Sequence, residues 1–305
     1  MSAGDIVVLA GGTGGAKLAR GIADAFGPER VTVIANTGDD IEIYGAHVSP
    51  DPDLVSFWLA GLIDERGWGI AGDSFEVMEQ LRSLGEDIWF NLGDRDLAWC
   101  LRRAAMLAEG LTPTAALARL NGAIGQEAEV LPMCDEPVRT WIRSASRWVP
   151  FQEFMIRGRG AGPIEGVEFR GIEQARPSAR VLEVLAHAHA VVIGPSNPIV
   201  SIGPILALDG MRAALSRCAA PLVAVSPIVE GEVLKGPTRA FMEHAGLDCT
   251  PAGVADAYGD LLDGLLADED VATVPTHVAD VRMSDASGRR RVAERVLELS
   301  ESLLG

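Results

Sequence analysis

The chain has 305 residues, 48% of them hydrophobic, and a formal net charge of −17. That length and apolar content allow one large α/β domain or two small ones around a substantial core, and no apolar run approaches the ~18 residues needed to cross a bilayer. The acidic balance argues against nucleic acid and anionic membranes as partners, and the four cysteines, Cys100, Cys134, Cys218 and Cys249, are too widely spaced for a zinc site or a disulfide framework.

The chain opens on residues 7–20, VVLAGGTGGAKLAR. An apolar strand, predicted over Ile6–Ala10, runs into a glycine-rich turn and then into a helix with Lys17 in its first turn. This start, a strand and not a charged-then-apolar leader, predicts a cytoplasmic protein. Glycines let the backbone approach an anion, and a helix start offers unpaired N–H groups and a partial positive charge. Gly11, Gly12, Thr13, Gly14 and Lys17 are therefore candidates for holding a phosphate-bearing ligand. The spelling fits neither common motif. A P-loop requires glycine at Ala16 and Ser or Thr at Leu18, and a dinucleotide fingerprint counted from Gly12 requires glycine at Lys17. With no hydroxyl after the lysine, a metal ion must be held elsewhere. Lys17 stands out because 24 of the 26 basic residues are arginines, Lys235 being the other lysine; a solvated helix-start lysine is the plain alternative.

Further strands are predicted over Val31–Ala35, Ala190–Ile193 and Leu222–Val225, each a short apolar run closed by loop residues. They alternate with helical stretches, which indicates an α/β fold: a Rossmann-like, doubly wound, mostly parallel sheet whose ligands bind outside the carboxyl ends of the strands. The expected division is an α/β core over about 1–52 and 181–305, with an inserted, mainly helical lobe over about 53–180 lying like a lid on the sheet edge.

The second strand ends in Asn36-Thr37-Gly38-Asp39-Asp40, and Pro50-Asp51-Pro52-Asp53 follows. Carboxylates on two loops near one sheet edge suit a hard divalent cation, Mg²⁺ above all. Mg²⁺ takes one or two carboxylates plus phosphate oxygens and water, so not all four serve. Asp40 and Asp53 are the candidates for metal and catalysis, since a carboxylate also accepts a proton from an attacking hydroxyl. Asp39 and Asp51 are equally read as turn caps.

In the lobe, Asp73 is predicted to cap the helix after it, with Glu76 as capping-box partner, Phe75, Met78, Leu81 and Leu84 as its apolar stripe, and Gly85 as its stop. Further helices are expected over 97–109 and 114–122. Between them and the first helix, Asn91-Leu92-Gly93-Asp94-Arg95-Asp96 places charge directly after Ile88-Trp89-Phe90. Arg95 can grip a phosphate or carboxylate with two prongs, or pair with Asp94 and Asp96 capping the next helix. Residues 157–171, with five glycines, read as loop or irregular hairpin. The loop Gly194-Pro195-Ser196-Asn197-Pro198 follows a strand, is stiffened by two prolines, and offers N–H groups to a phosphate or base edge. Residues 287–304 read as a helix whose Arg289, Arg290 and Arg291 form a solvated face, with phosphate contact as the lesser alternative. No Ser/His/Asp arrangement is evident, so direct displacement at phosphorus, by positioning, metal and charge stabilisation, is the economical chemistry.

With these loops assembled, the chain resembles the 2-phospho-L-lactate transferase family, which builds the phosphodiester arm of coenzyme F420. The resemblance is close to full length. It rests on GGTGG-x-K at 11–17, NTGDD at 36–40, PDxD at 50–53, RGWGIAGDSF at 66–75, LGDRD at 92–96, LPMCDEPV at 131–138, FQEF at 151–154, GPSNPIVSIGPIL at 194–206 and VSPIVEG at 225–231. It implies that a three-carbon phospho-acid joined to GMP by a diphosphate is the donor, and that the ribityl hydroxyl of the deazaflavin Fo attacks its acid-bearing phosphorus. GMP leaves with Mg²⁺ assistance, giving F420-0 or its dehydro form. Lactate, enolpyruvate and glycerate all remain open as the acid.

The resemblance assigns Gly11, Gly12, Thr13, Gly14, Lys17, Asn36, Thr37, Arg95, Gly194, Ser196 and Asn197 to the guanylyl diphosphate. It places Asp40 and Asp53 at the metal and attacking hydroxyl, and Asp53 and Asn91 against Fo. Asn91 stands where the family carries lysine, Pro150 where histidine is common, Met155 where tryptophan is common, and Cys134 where serine is frequent. A cytoplasmic homodimer acting on small molecules is implied as well. Two other readings compete. A related nucleotide-sugar-binding regulatory group shares the fold and the GGTG opening, but should lack the combined PDxD, LGDRD and FQEF. A Rossmann-type oxidoreductase requires an acidic residue at the end of the second strand, where Asn36-Thr37 stands here.

Overall fold

The computed structural model describes residues 5–233 and 236–304; Lys235 lies outside them. Seven strands build the central sheet: β1 Ile6–Ala10, β2 Val31–Ala35, β3 Glu129–Pro132, β4 Ala190–Ile193, β5 Leu222–Val225, β6 Gly264–Ala267 and β7 Thr276–Val278. Across the sheet they run in the order 3-2-1-4-5-6-7, and every neighbouring pair is parallel. The α/β, doubly wound expectation is met, and the four predicted strands form over the predicted residues.

The runs are apolar throughout because helices cover both faces of the sheet. Side chains alternate along each strand. Val7, Leu9, Val191 and Ile193 enter one core, and Ile6, Val8, Ala10 and Val192 enter the other. The second core is closed by helix α1 (Gly12–Phe26), helix α2 (Pro50–Leu59) and the last helix, Ala286–Ser302. The first is closed by Ala179–Ala186, Met211–Arg217 and Pro251–Tyr258. Arg289 does not simply face solvent, as the arginine cluster suggested: its guanidinium lies 5.1 Å from the centre of the Trp58 ring.

The stretch 53–180 is less separate than expected. Helices α3 (Glu76–Ser83), α4 (Asp94–Ala108) and α5 (Pro113–Ala123) form there, but so does β3, which pairs with β2 and completes the main sheet. Pro132 disguises that strand, because it cannot donate to a ladder and is tolerated only at an edge such as this one. Within 157–171, where loop or irregular hairpin was expected, Gly166–Arg170 is a strand. It pairs with Arg139–Ser144, which in turn pairs with Arg147–Pro150.

Strand order reverses between β1 and β4, which lie side by side. The chain leaving β1 enters α1 on one face, while the chain leaving β4 runs to Gly203–Ala207 on the other. The crevice between these departures is where a sheet of this kind takes its ligand.

Candidate active site

Helix α1 begins at Gly12, a single residue after β1, and that residue, Gly11, caps it in extended conformation (φ −144°, ψ 134°). Gly12 has φ +67°, which favours glycine, and nothing lies within 4 Å of where a Cβ would stand. Gly14 is glycine for another reason. A Cβ there would stand 1.9 Å from the Pro195 carbonyl oxygen, so the loops after β1 and β4 touch each other. Gly11 N–H also reaches Ser196 Oγ at 3.4 Å. Asn197 Oδ1 steadies its own turn by accepting from the N–H groups of Ile199 and Val200 at 2.9 and 3.2 Å. The two loops, with Thr13, Lys17, Ser196 and Asn197, line a cavity of about 490 Å³. Lys17 Nζ lies 5.9 Å from the centre of the Trp58 ring, at the edge of the same cavity.

Of the four acidic candidates, those that face this cavity are Asp39 and Asp51. Asp51 Oδ1 accepts from Gly12 N–H at 2.7 Å and Oδ2 from Asn36 Nδ2 at 3.0 Å. It stands in the first turn of α2 yet caps α1. Asn36 is held in turn by Gly38 N–H on its Oδ1 at 2.8 Å, while Thr37 is buried beside Cys134 Sγ at 3.9 Å and does not reach the cavity. Burial lifts the Asp51 carboxyl to about 6 against these hydrogen bonds. Burial, and then the charge of Asp51, hold the Asp39 carboxyl well above the usual carboxylate range. Asp39 Oδ1 is buried with no hydrogen-bond partner among the described residues. An orphaned carboxylate oxygen beside a second carboxylate, under a glycine loop, is a donor set that fits a hard divalent cation.

Asp40 and Asp53, expected to hold metal, are otherwise engaged. Asp40 accepts from Ser49 Oγ at 2.7 Å and meets His47 Nε2 at 3.1 Å. Asp53 forms a two-pronged buried pair with Arg103, whose Nη1 reaches Oδ2 at 2.9 Å while Nη2 bonds Oδ1. Trp99 Nε1 donates to the same Oδ1 at 2.8 Å. Asp53, Asp96 and Cys100 bring ligand atoms within 4.8 Å of one another. The Arg103 cation already occupies that cluster, so it does not fit a metal. Arg103 had a signal in the sequence: Leu97, Cys100, Arg103 and Met106 recur every three residues on the buried side of α4, and an arginine in such a stripe needs a buried anion.

The motifs at 73 and 94 cap each other's helices, which corrects the expectation that Asp73 caps its own. Asp73 accepts from Arg95 and Asp96 N–H at 2.9 and 3.1 Å, at the start of α4. Asp94 accepts from Glu76 and Val77 N–H at 3.1 and 3.0 Å, at the start of α3. Arg95 donates to the Ala71 carbonyl at 3.1 Å and lines neither large cavity, so its assignment to a phosphate is corrected to a structural one.

These caps frame a second cavity of about 430 Å³, walled by Phe57, Trp68, Phe75, Trp89 and Phe90, with Asp53, Asn91 and Asp96 among its polar members. Burial, then the charges of Asp53 and Asp73, push the Asp96 carboxyl up to about 7. Asp51 lines both cavities. The N–H groups of Gly194 and Ser196, expected to be open to a phosphate, instead bond the Leu9 and Gly194 carbonyls at 3.0 and 2.7 Å. One cavity still lies at a glycine-lined helix start beside Lys17, suited to phosphates; the other offers aromatic faces, suited to a planar ring. They meet at a carboxylate.

Residues 6–296 match the family model described as 2-phospho-L-lactate transferase CofD. The 2-phospho-L-lactate transferase of Methanosarcina mazei is 38% identical over 265 residues, covering 87% of each chain. The phosphoenolpyruvate transferase of Streptomyces griseus is 37% identical over 314 residues, covering 98% of this chain and 99% of its own. A solved structure of a UPF0052 family member from Bacillus halodurans superposes with a TM-score of 0.60 over 97% of this chain and 99% of that one, at 18% identity, a likeness of fold alone.

Proposed function

The chain belongs to the 2-phospho-L-lactate transferase family, and from that premise we propose that it transfers a 2-phospholactyl or phosphoenolpyruvyl group from a guanylylated donor to the deazaflavin Fo. The glycine-loop cavity takes the guanylyl diphosphate, between Gly12, Lys17 and Ser196. The aromatic cavity takes the tricyclic ring of Fo and directs its ribityl hydroxyl toward Asp51. The hydroxyl oxygen forms a bond to the acid-bearing phosphorus. The bond from that phosphorus to the bridging oxygen breaks, and GMP leaves with that oxygen. The hydroxyl proton passes to the Asp51 carboxylate, whose pKa of about 6 lets it accept and return a proton near neutrality.

Asp39, with its orphaned oxygen, would hold Mg²⁺ together with phosphate oxygens of the donor. When bound, the cation supplies charge neutralisation on the diphosphate. Asp53, paired with Arg103, fixes the floor of the Fo cavity without taking the proton. A homodimer in the cytoplasm is part of the same reading.

The observation that carries this reading is the position of Asp51 on both cavities. The test is to incubate the purified protein with Fo, Mg²⁺ and each guanylylated donor, and to weigh the products. One donor should yield GMP and an Fo adduct in equal amounts. If none does, under conditions where a relative assayed alongside turns over, the transferase reading is wrong.

A further inference from the structure

Between α2 and α3 the chain folds into a hairpin over residues 62–71 that lines the aromatic cavity through Arg66, Trp68, Gly69 and Ile70. It is closed by Asp64 N–H on the Gly69 carbonyl at 3.0 Å, by Ala71 N–H on the Leu62 carbonyl at 2.8 Å, and by a single bridge between Ile63 and Ile70. Ile70 is buried and anchors it. Gly61 (φ +69°) and Gly72 (φ +67°) stand at its two ends, in a conformation that other residues resist. The tip lies near Thr13, which lines the glycine-loop cavity: a Cβ on Gly67 would stand 4.0 Å from Thr13 Cγ2 and 3.9 Å from Trp58 Cζ2.

The next residue, Trp68, turns to the other side and walls the aromatic cavity, with 44% of its surface open. The Arg66 guanidinium stacks 4.3 Å from the centre of its ring and is itself held by Asp64 at 2.6 Å. A large indole left this open is unusual, and its plane is already set by a stacked cation.

We propose that Trp68 is an acceptor-specificity residue: its indole, carried on the 62–71 hairpin and steadied by Arg66, stacks on the planar ring of the acceptor, and the hairpin held in this way keeps water from the transferred phosphorus. The inference rests on the aromatic cavity being the acceptor's. Exclusion matters because water competes with the hydroxyl. Water admitted there bonds to the acid-bearing phosphorus, the bond to the bridging oxygen breaks, GMP leaves, and the proton passes to solvent. The donor is then lost as free phospho-acid without an adduct. One hairpin, with its tip near Thr13 on the donor side and Trp68 on the acceptor side, links the two events.

The test uses the full chain as wild type, Trp68→Phe and Trp68→Ala. Fo binding is followed by deazaflavin fluorescence, and products are counted with donor and Mg²⁺ present. Trp68→Ala should weaken Fo binding roughly 10-fold, as loss of a stacking platform does, and should raise the ratio of GMP to adduct above one. Trp68→Phe, which keeps an aromatic face, should keep most of the affinity and a ratio near one. Thermal melting of each variant reports that the fold persists, as an open side chain allows. If Trp68→Ala binds Fo as the wild type does and keeps a ratio of one, the inference is wrong while the transferase reading stands. If the wild type itself binds no Fo, both fall.

Discussion

His47 Nε2 meets the Asp40 carboxylate at 3.1 Å, and its Nδ1 meets Glu42 at 3.2 Å. Burial alone would lower the imidazole, but the hydrogen bonds to Asp40 and Glu42 prevail and raise it from 6.5 to about 9. The hydrogen bond from His47, more than any other contact, holds Glu42 near 2. A raised histidine contributes stability that is fully present below its unfolded pKa of about 6.5 and is lost as pH rises through about 9. The depressed Glu42 acts at the other end: its contribution is present above about 4.5 and is lost as pH falls toward 2. Comparing thermal melts of the wild type and His47→Gln between about pH 6 and pH 10 checks this. The stability gap should be widest at the low end and should narrow as pH rises; a constant gap would show that His47 is not charged in the fold. This triad also shows why Asp40 could not be told from Asp39 in the sequence. The two are adjacent and identical in kind, and only the return of a short hairpin, Ile41–Ile43 paired with Ala46–Val48, which brings back His47 and the following Ser49, engages one and leaves the other facing the cavity.

At the scale of elements, α2 and α4 are joined by the Asp53–Arg103 pair, both groups buried and 50 residues apart in the chain. Arg103 also donates to the His47 carbonyl at 3.1 Å, so one guanidinium ties the acidic loop, α2 and α4 together. Removing one partner leaves an uncompensated buried charge. Arg103→Leu should therefore cost about 3–5 kcal/mol in denaturant unfolding, and the double variant Arg103→Leu with Asp53→Leu should recover part of that loss. A cost below about 1 kcal/mol for the single variant would place the pair among weak surface bridges. The exchange of caps between Asp73 and Asp94 is a second tie of this kind. In the sequence both motifs show as helix starts, since Asp before a periodic stretch is a local signal. Which helix each one caps is a long-range fact. The strands β1, β2, β4 and β5 were legible because burial on both faces makes each of them apolar throughout. The edge strand β3 was not, because Pro132 and Glu129 interrupt that pattern.

At the scale of the molecule, the fold brings two unlike cavities to one carboxylate. The strand-glycine-helix layout of the first loop was legible in the sequence. Its contact with the loop after β4 was not, because it depends on β1 and β4 being neighbours at the reversal of strand order. Asp51 reads in the sequence as a turn cap or one of four carboxylates suited to a cation. Its importance comes from α2 lying beside α1, which turns its side chain onto Gly12 and into the gap between the cavities. If transfer takes place at that gap, Asp51→Asn keeps the shape and the hydrogen bond from Gly12 but cannot take the hydroxyl proton. The most direct measurement is the turnover of Asp51→Asn with saturating Fo, donor and Mg²⁺, beside the affinity of the same variant for Fo. Turnover should fall by at least ~100-fold, the usual share of a general base, with Fo affinity and melting behaviour close to wild type. Turnover within a few-fold of wild type would contradict the placement of the chemistry at Asp51.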